Sequence, residues 1–275
     1  MKFIFFNGKI LPFNDVNINI NELGLLRAYA VFDYLRTYDG KPFRVDDYLK
    51  RFRNSAAQLH LHLKYSDNKI KLFLNELLKK NKIGEVGIRF LLTGGHTQDS
   101  MSIGEPNFFI LHEELQDYPK EIFTNGVKLM TCEFQRWLPQ VKTTNYVSAI
   151  RLQKEKKKQN AFEILYHKNK KISETARNNF FIVRNGILIT PKENILLGIT
   201  RKVILEIAAK NKIKTEERKI LLSELNYADE AFISGSSKGI VPVVVVDKTK
   251  IGNGKVGTIT KKMMRFFEEY SKKFQ

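Results

Sequence analysis

Ser173-Glu174-Thr175-Ala176-Arg177-Asn178-Asn179-Phe180-Phe181 is the stretch on which the reading of this chain turns. It passes from one carboxylate through polar residues into aromatics. Alone, Glu174 reads as a strand-end carboxylate facing water. Two further stretches resist a purely structural reading: Val141-Lys142-Thr143-Thr144-Asn145-Tyr146 upstream and Leu197-Gly198-Ile199-Thr200-Arg201 downstream. Each is weak by itself, and the ordered set at these intervals is strong.

Outward from these stretches, strand and helix signals alternate. Phe3 to Phe6, Asn7-Gly8 and Lys9 to Leu11 read as a hairpin, because Asn-Gly supplies the positive φ angles of a type I′ turn. Val31 to Tyr38 reads as a strand closed by Asp39-Gly40. Leu49, Phe52, Ala56 and Leu59 recur at helical spacing, as do Ile70, Phe73, Leu74, Leu77 and Leu78 behind Ser66-Asp67-Asn68. Strands follow at Gly87 to Thr93 and Asn107 to Leu111. His112 to Glu121 is polar and lacks a clean period, so it separates two domains: 1–112, and 122–275 after a linker at 113–121. The second part reads as a strand (Val127 to Cys132), a helix (Tyr146 to Lys158) and strands at Phe162 to Tyr166, Phe180 to Val183 and Ile187 to Thr190. A helix (Thr200 to Lys210), strands at Glu230 to Ser234 and Val241 to Val246, and a helix from Thr258 to Phe274 complete it. The class is α+β, with antiparallel hairpins at Asp39-Gly40 and Asn185-Gly186.

Composition narrows the function. The 275 residues carry 47 Lys+Arg against 29 Asp+Glu, a formal charge of +18. The basic residues are spread along the chain, and the densest run, Lys154 to Lys158, is mixed and lies in a helical stretch. That argues for a solvated face over a nucleic-acid surface, and for a field that attracts small anions. The single cysteine, Cys132, cannot form an internal disulfide, so a reducing cytoplasm is the expected home. Phe3 to Phe6 is too short for a signal-peptide core. The apolar run Val241 to Val246 falls far short of the ~20 residues of a membrane helix. P-loop and HExxH patterns are absent, Gly235-Ser236-Ser237-Lys238-Gly239 has the glycines and serine of GxSxG in the wrong strand-to-helix context, and the five histidines have no metal-ligand spacing, so no metal is expected.

The three stretches resemble the motifs K-x-x-N-Y, E-x-S-R-x-N-x-F and L-x-G-I-T-R of the class IV, or fold-type IV, pyridoxal-phosphate aminotransferases. The N-terminal part agrees. Arg27 to Tyr38 is similar to the family's G-V-F-E-x-x-R-x-Y, and Tyr48 to Ala56 to its H-L-x-R-L-x-x-S-A helix. The resemblance extends through Ala231 to Ser237 and Val241-Pro242-Val243. It implies two domains, an N-terminal α/β sandwich and a C-terminal pseudo-barrel with helices, with the cofactor between them, and a homodimer.

Pyridoxal 5′-phosphate needs an amine that holds it as an imine and shuttles a proton between the substrate Cα and the cofactor C4′, and lysine does both. The resemblance assigns that amine to Lys142. It places Glu174 beside the ring nitrogen, which is an electron sink only while protonated, with Asn179 in the same motif. The phosphate falls to Arg51, able to fork to two oxygens, to the amides of Ile199 and Thr200 at a helix N-terminus with the Thr200 hydroxyl, and to Ser236. Tyr146 is the candidate to hydrogen-bond the cofactor's phenolic oxygen. Tyr29, Arg36, Arg89 and Ser237 are the substrate candidates.

Departures from the family pattern bear on substrate. Asp33 stands for the usual Glu, Tyr48 for the frequent His, and Gly87 for the tyrosine of the Y-x-R strand. Thr93-Gly94-Gly95-His96-Thr97-Gln98 lacks the Arg-x-His carboxylate trap of D-amino-acid aminotransferases, and Phe32 replaces their Tyr. These differences favour transfer from a branched-chain L-amino acid to a 2-oxo acid such as 2-oxoglutarate. Lys238-Gly239 replaces the usual apolar-acidic pair. The alternatives are a 4-amino-4-deoxychorismate lyase, a D-amino-acid aminotransferase and, outside enzymes, a basic nucleic-acid-binding module.

Overall fold

A computed structural model describes residues 2–82 and 84–273. The chain forms two compact units. One comprises the residues up to Gln116 with Val141–Asn145, and the other Asp117–Gln140 with Tyr146–Lys273. The division expected at 113–121 does not anticipate this return of the chain.

The first unit is a six-stranded sheet. Its strands are β1 (Phe3–Phe6), β2 (Lys9–Pro12), β3 (Ala30–Tyr38), β4 (Lys41–Pro42), β5 (Gly87–Thr93) and β6 (Phe108–Glu113), in the order β2-β1-β6-β5-β3-β4. All pairs are antiparallel. Asn7 and Gly8, like Asp39 and Gly40, have positive φ, as type I′ turns require. A short helix, α1 (Leu23–Arg27), precedes β3. Two amphipathic helices, α2 (Val45–Gln58) and α3 (Asp67–Asn81), bury the residues that recur at helical spacing, among them Leu49, Phe52, Ile70 and Leu74. Strand β6 runs past Leu111 to Glu113, because His112 is buried opposite Ile88.

The second unit begins with a one-turn helix, α4 (Glu121–Thr124), and is built on a ten-stranded sheet. Its strands are β7 (Val127–Glu133), β8 (Glu163–Lys168), β9 (Lys171–Thr175), β10 (Asn179–Arg184), β11 (Ile187–Thr190), β12 (Thr215–Glu217), β13 (Ile220–Leu221), β14 (Glu230–Gly235), β15 (Gly239–Val246) and β16 (Thr249–Lys250). Six of them close a ring, β7-β8-β9-β10-β14-β15-β7. The pair β9–β10 that completes it has one register partnership, Glu174 opposite Asn179. Leu129, Leu165, Phe180, Ile182, Ile233 and Val241 form a buried core on this sheet. The helix expected from Tyr146 to Lys158 is two helices, α5 (Val147–Arg151) and α6 (Gln153–Lys158), interrupted at Leu152. Helices α7 (Ile199–Lys210) and α8 (Thr258–Lys273) complete the unit; the expected end of the last helix at Phe274 lies outside the described residues.

Phe180 has no exposed surface and sits on the strand that closes the ring. Phe180→Ala is expected to cost about 3–5 kcal/mol, read as a lower urea midpoint with unchanged far-ultraviolet dichroism.

Candidate active site

Lys142 is placed by main-chain bonds to the first unit. Its carbonyl accepts from the Phe32 amide at 2.9 Å, and its amide donates to the Ser55 hydroxyl at 3.1 Å. Thr143 bridges Val31, and Thr144 donates to the Ala30 carbonyl through its amide and to the Ala28 carbonyl through its hydroxyl. These bonds are why Val141–Asn145 belongs with β3. The half-buried Lys142 carries its Nζ 4.5 Å from the centre of the Phe32 ring, a cation–π distance.

Arg51 on α2 forks to Asp33 on β3, Nε to Oδ2 at 2.9 Å and Nη2 to Oδ1 at 2.6 Å. Asp33 is fully buried and Arg51 nearly so. A guanidinium has five donor hydrogens, so the fork fixes its plane and uses two of them.

The substrate candidates of this unit have partners of their own. Tyr29 donates its hydroxyl to the Leu59 carbonyl at 2.8 Å. Arg36 pairs with Glu85 and stacks on Tyr38, while Arg89 pairs with Glu113 and lies 4.9 Å from the Phe32 ring centre. Gly87 has a structural reason: a Cβ there would stand 2.1 Å from the hydroxyl of Tyr34. The neighbouring strand's phenol fills the space beside it.

In the second unit, Glu174, Asn179 and Ser234 are register partners on three adjacent strands, so their side chains share one face of the sheet. The turn from β9 to β10 sets this row: the Thr175 hydroxyl accepts from the Asn178 amide at 2.8 Å, and the Thr175 amide donates to the Asn178 carbonyl at 2.8 Å. Glu174 is buried and met by donors. Arg136 Nε lies 2.8 Å from Oε1, the Leu196 amide 3.0 Å from Oε2, and the Asn179 side-chain amide 3.5 Å from Oε2. The Ser234 hydroxyl, buried in the same row, has no hydrogen-bond partner among the described residues.

Asn179 links this row to the N-terminus of α7. Its amide donates to the Leu196 carbonyl at 2.8 Å, and its Oδ1 would lie 2.1 Å from a Cβ on Gly198. Only glycine fits there. Gly198 is the N-cap and no side chain caps the helix, so the first-turn amides of Ile199 and Thr200 have the polarity that could hold an anion. Arg201 anchors that turn through Glu217 at 2.6 Å and the Pro191 carbonyl at 2.9 Å. Ser236 and Ser237 lie half-buried in the turn between β14 and β15. Tyr146 packs against the cluster of Met130, Ala149, Ile164 and Tyr166.

The sequence reading missed Arg136, Asp33 as a partner for Arg51, and Ser234. Arg136 beside Trp137, a short step before Lys142, was the available signal for the first. Asp33 stands out in the sequence only as a departure from the family's Glu.

Residues 30–246 match the profile of the family described as Amino-transferase class IV. A D-alanine aminotransferase of Staphylococcus haemolyticus is 31% identical over 273 residues, 97% of each chain. One of Listeria monocytogenes serotype 4b is 30% identical over 272 residues, 96% of this chain and 94% of its own. Among solved structures, the branched-chain amino acid aminotransferase of Escherichia coli superposes with a TM-score of 0.89 at 27% identity, covering 96% of this chain and 92% of its own. That of Thermobaculum terrenum, in its PLP form, gives 0.89 at 23%, covering 100% and 95%. The chain belongs to the class IV aminotransferases. Its fold is fold-type IV, and the cofactor is pyridoxal 5′-phosphate.

The residues present suit that cofactor. A half-buried lysine amine, a buried carboxylate ringed by donors and an uncapped helix N-terminus match its aldehyde, ring nitrogen and phosphate. Among the described residues no group of side chains could hold a metal ion, and no helix is long and apolar enough to cross a membrane.

Breaking a buried ion pair by removing one partner leaves an uncompensated charge. Asp33→Ala is therefore expected to destabilise the protein by about 3–5 kcal/mol, measured by thermal unfolding, and Asp33→Leu with Arg51→Met to recover much of the loss.

Proposed function

We propose that this chain transfers the amino group of an L-amino acid with a branched apolar side chain to a 2-oxo acid such as 2-oxoglutarate. The observation that carries the amino-transfer reading is Glu174, buried and met by Arg136, Asn179 and the Leu196 amide in a family that uses pyridoxal phosphate. The cofactor supplies an electron sink for the electrons of the substrate Cα–H bond. Lys142 would hold the cofactor through Nζ and, once the incoming substrate amine has displaced it, the freed amine would be able to move a proton from the substrate Cα to C4′. Glu174 keeps the proton on the ring nitrogen, and Arg136 fixes the carboxylate. The amides of Ile199 and Thr200, the Thr200 and Ser236 hydroxyls and Arg51 bind the phosphate, and Tyr146 donates to the phenolic oxygen. Tyr29, Arg36, Arg89 and Ser237 serve the substrate. The working form is a homodimer in the cytoplasm.

The L-branched-chain preference draws support from Thr93 to Gln98, which lacks an Arg-x-His pair, and from Phe32. A second reading, transfer from D-alanine, draws support from the 31% identity to D-alanine aminotransferases across 97% of the chain. Chiral chromatography of glutamate formed from 2-oxoglutarate separates the two. L-Leucine as donor should give L-glutamate. D-Glutamate formed from D-alanine, with L-leucine inert, would contradict the L-branched-chain reading, and pyruvate released from 4-amino-4-deoxychorismate without any glutamate would contradict amino transfer.

Glu174→Gln keeps the shape and removes the charge. Turnover should fall by roughly 100-fold or more, with the cofactor still bound in equilibrium dialysis.

A further inference from the structure

Lys238 has no place in the roles above, yet it is among the most buried charged residues of the second unit, at 8% exposure. Its Nζ lies 5.2 Å from the centre of the Tyr118 ring and 5.3 Å from that of Phe162. No hydrogen-bond acceptor meets this ammonium among the described residues. The charged groups around it are Arg177, Glu163 and Lys156. Glu163 is already engaged: one oxygen accepts from Arg177 Nε at 3.2 Å and the Asn178 amide at 3.5 Å, the other from the Ile164 amide at 3.1 Å. The cluster holds three cations and one anion. A buried cation without a counter-charge is costly, and a ligand carboxylate removes the imbalance.

We propose that Lys238 reads the distal carboxylate of the dicarboxylic partner in the amino transfer, a 2-oxo diacid or its amino-acid counterpart. This deepens, and rests on, the amino-transfer reading. Lys238 directly follows Ser236 and Ser237, and its amide closes their turn onto the Gly235 carbonyl at 3.4 Å. A site that takes an apolar side chain in one half of the reaction and a diacid in the other needs a cation hidden among apolar surfaces. The Tyr118 and Phe162 rings provide that setting. A free inorganic anion would need no such position beside the substrate turn.

Burial, then repulsion from Arg177, partly offset by Glu163 and reinforced by Lys156, brings the Lys238 ammonium down to about 8. Only the protonated amine holds a carboxylate, so diacid affinity should be full below that pH and fade as pH rises through it. Affinity for a monocarboxylic partner should not follow.

The test compares wild type, Lys238→Met and Lys238→Arg. KM is measured for 2-oxoglutarate and for the monocarboxylic 4-methyl-2-oxopentanoate between pH 6.5 and 9.5, and glutarate and valerate binding is measured by calorimetry on the holoenzyme. Lys238→Met should raise KM for the diacid roughly 10- to 100-fold, weaken glutarate to the level of valerate and leave the monocarboxylic KM unchanged. Lys238→Arg should restore diacid binding and abolish its fall above pH 8. An equal change for both acids, or none for the diacid, overturns the proposal. Wild type that binds glutarate through Lys238 yet transfers no amino group would overturn the amino-transfer reading and leave the carboxylate site standing.

Discussion

A β-ring is complete only when its last two strands pair, and here that pairing is the single partnership of Glu174 with Asn179. A carboxyl side chain is an unusual choice at such a closure, because taking it out of water is costly unless donors replace the water. Arg136, the Leu196 amide and the Asn179 amide do so. The same contacts seat Asn179 against Gly198, which sets the N-terminus of α7. Barrel closure, carboxylate placement and the uncapped start of α7 are thus one arrangement.

The first unit solves a related problem with Arg51 and Asp33. The pair is nearly sealed, and its geometry fixes a guanidinium that would otherwise sweep a wide range of rotamers. Lys142 differs in being positioned by backbone: its neighbours on both sides bond to the start of β3, so the amine projects from a braced segment. Side chains held on such rigid supports lose less entropy on reaching a working geometry.

Legibility followed the range of the interaction. The hairpins at Asn7-Gly8, Asp39-Gly40 and Asn185-Gly186 were readable because the residues that need positive φ are adjacent in sequence. Helices α2 and α3 declared themselves by period. Strand β9 did not, since Lys171-Ile172-Ser173 has little apolar pattern and its turn uses Lys170, in place of glycine, at positive φ. The break at Leu152 and the return of Val141–Asn145 to β3 depend on tertiary contacts. Lys142, Glu174 and Thr200 stand out only as a spaced set; Arg136 and Asp33, which hold Glu174 and Arg51, are distant from them in sequence, and nothing local to either shows which side chain it pairs with.

In the proposed mechanism one amine, at Lys142, carries the cofactor whose ring nitrogen Glu174 serves. Borohydride reduction of the purified protein followed by peptide mapping in a mass spectrometer tests it most directly. The phosphopyridoxyl mass should fall on the peptide containing Lys142 and on no other; its appearance on another lysine, Lys238 included, would contradict the account.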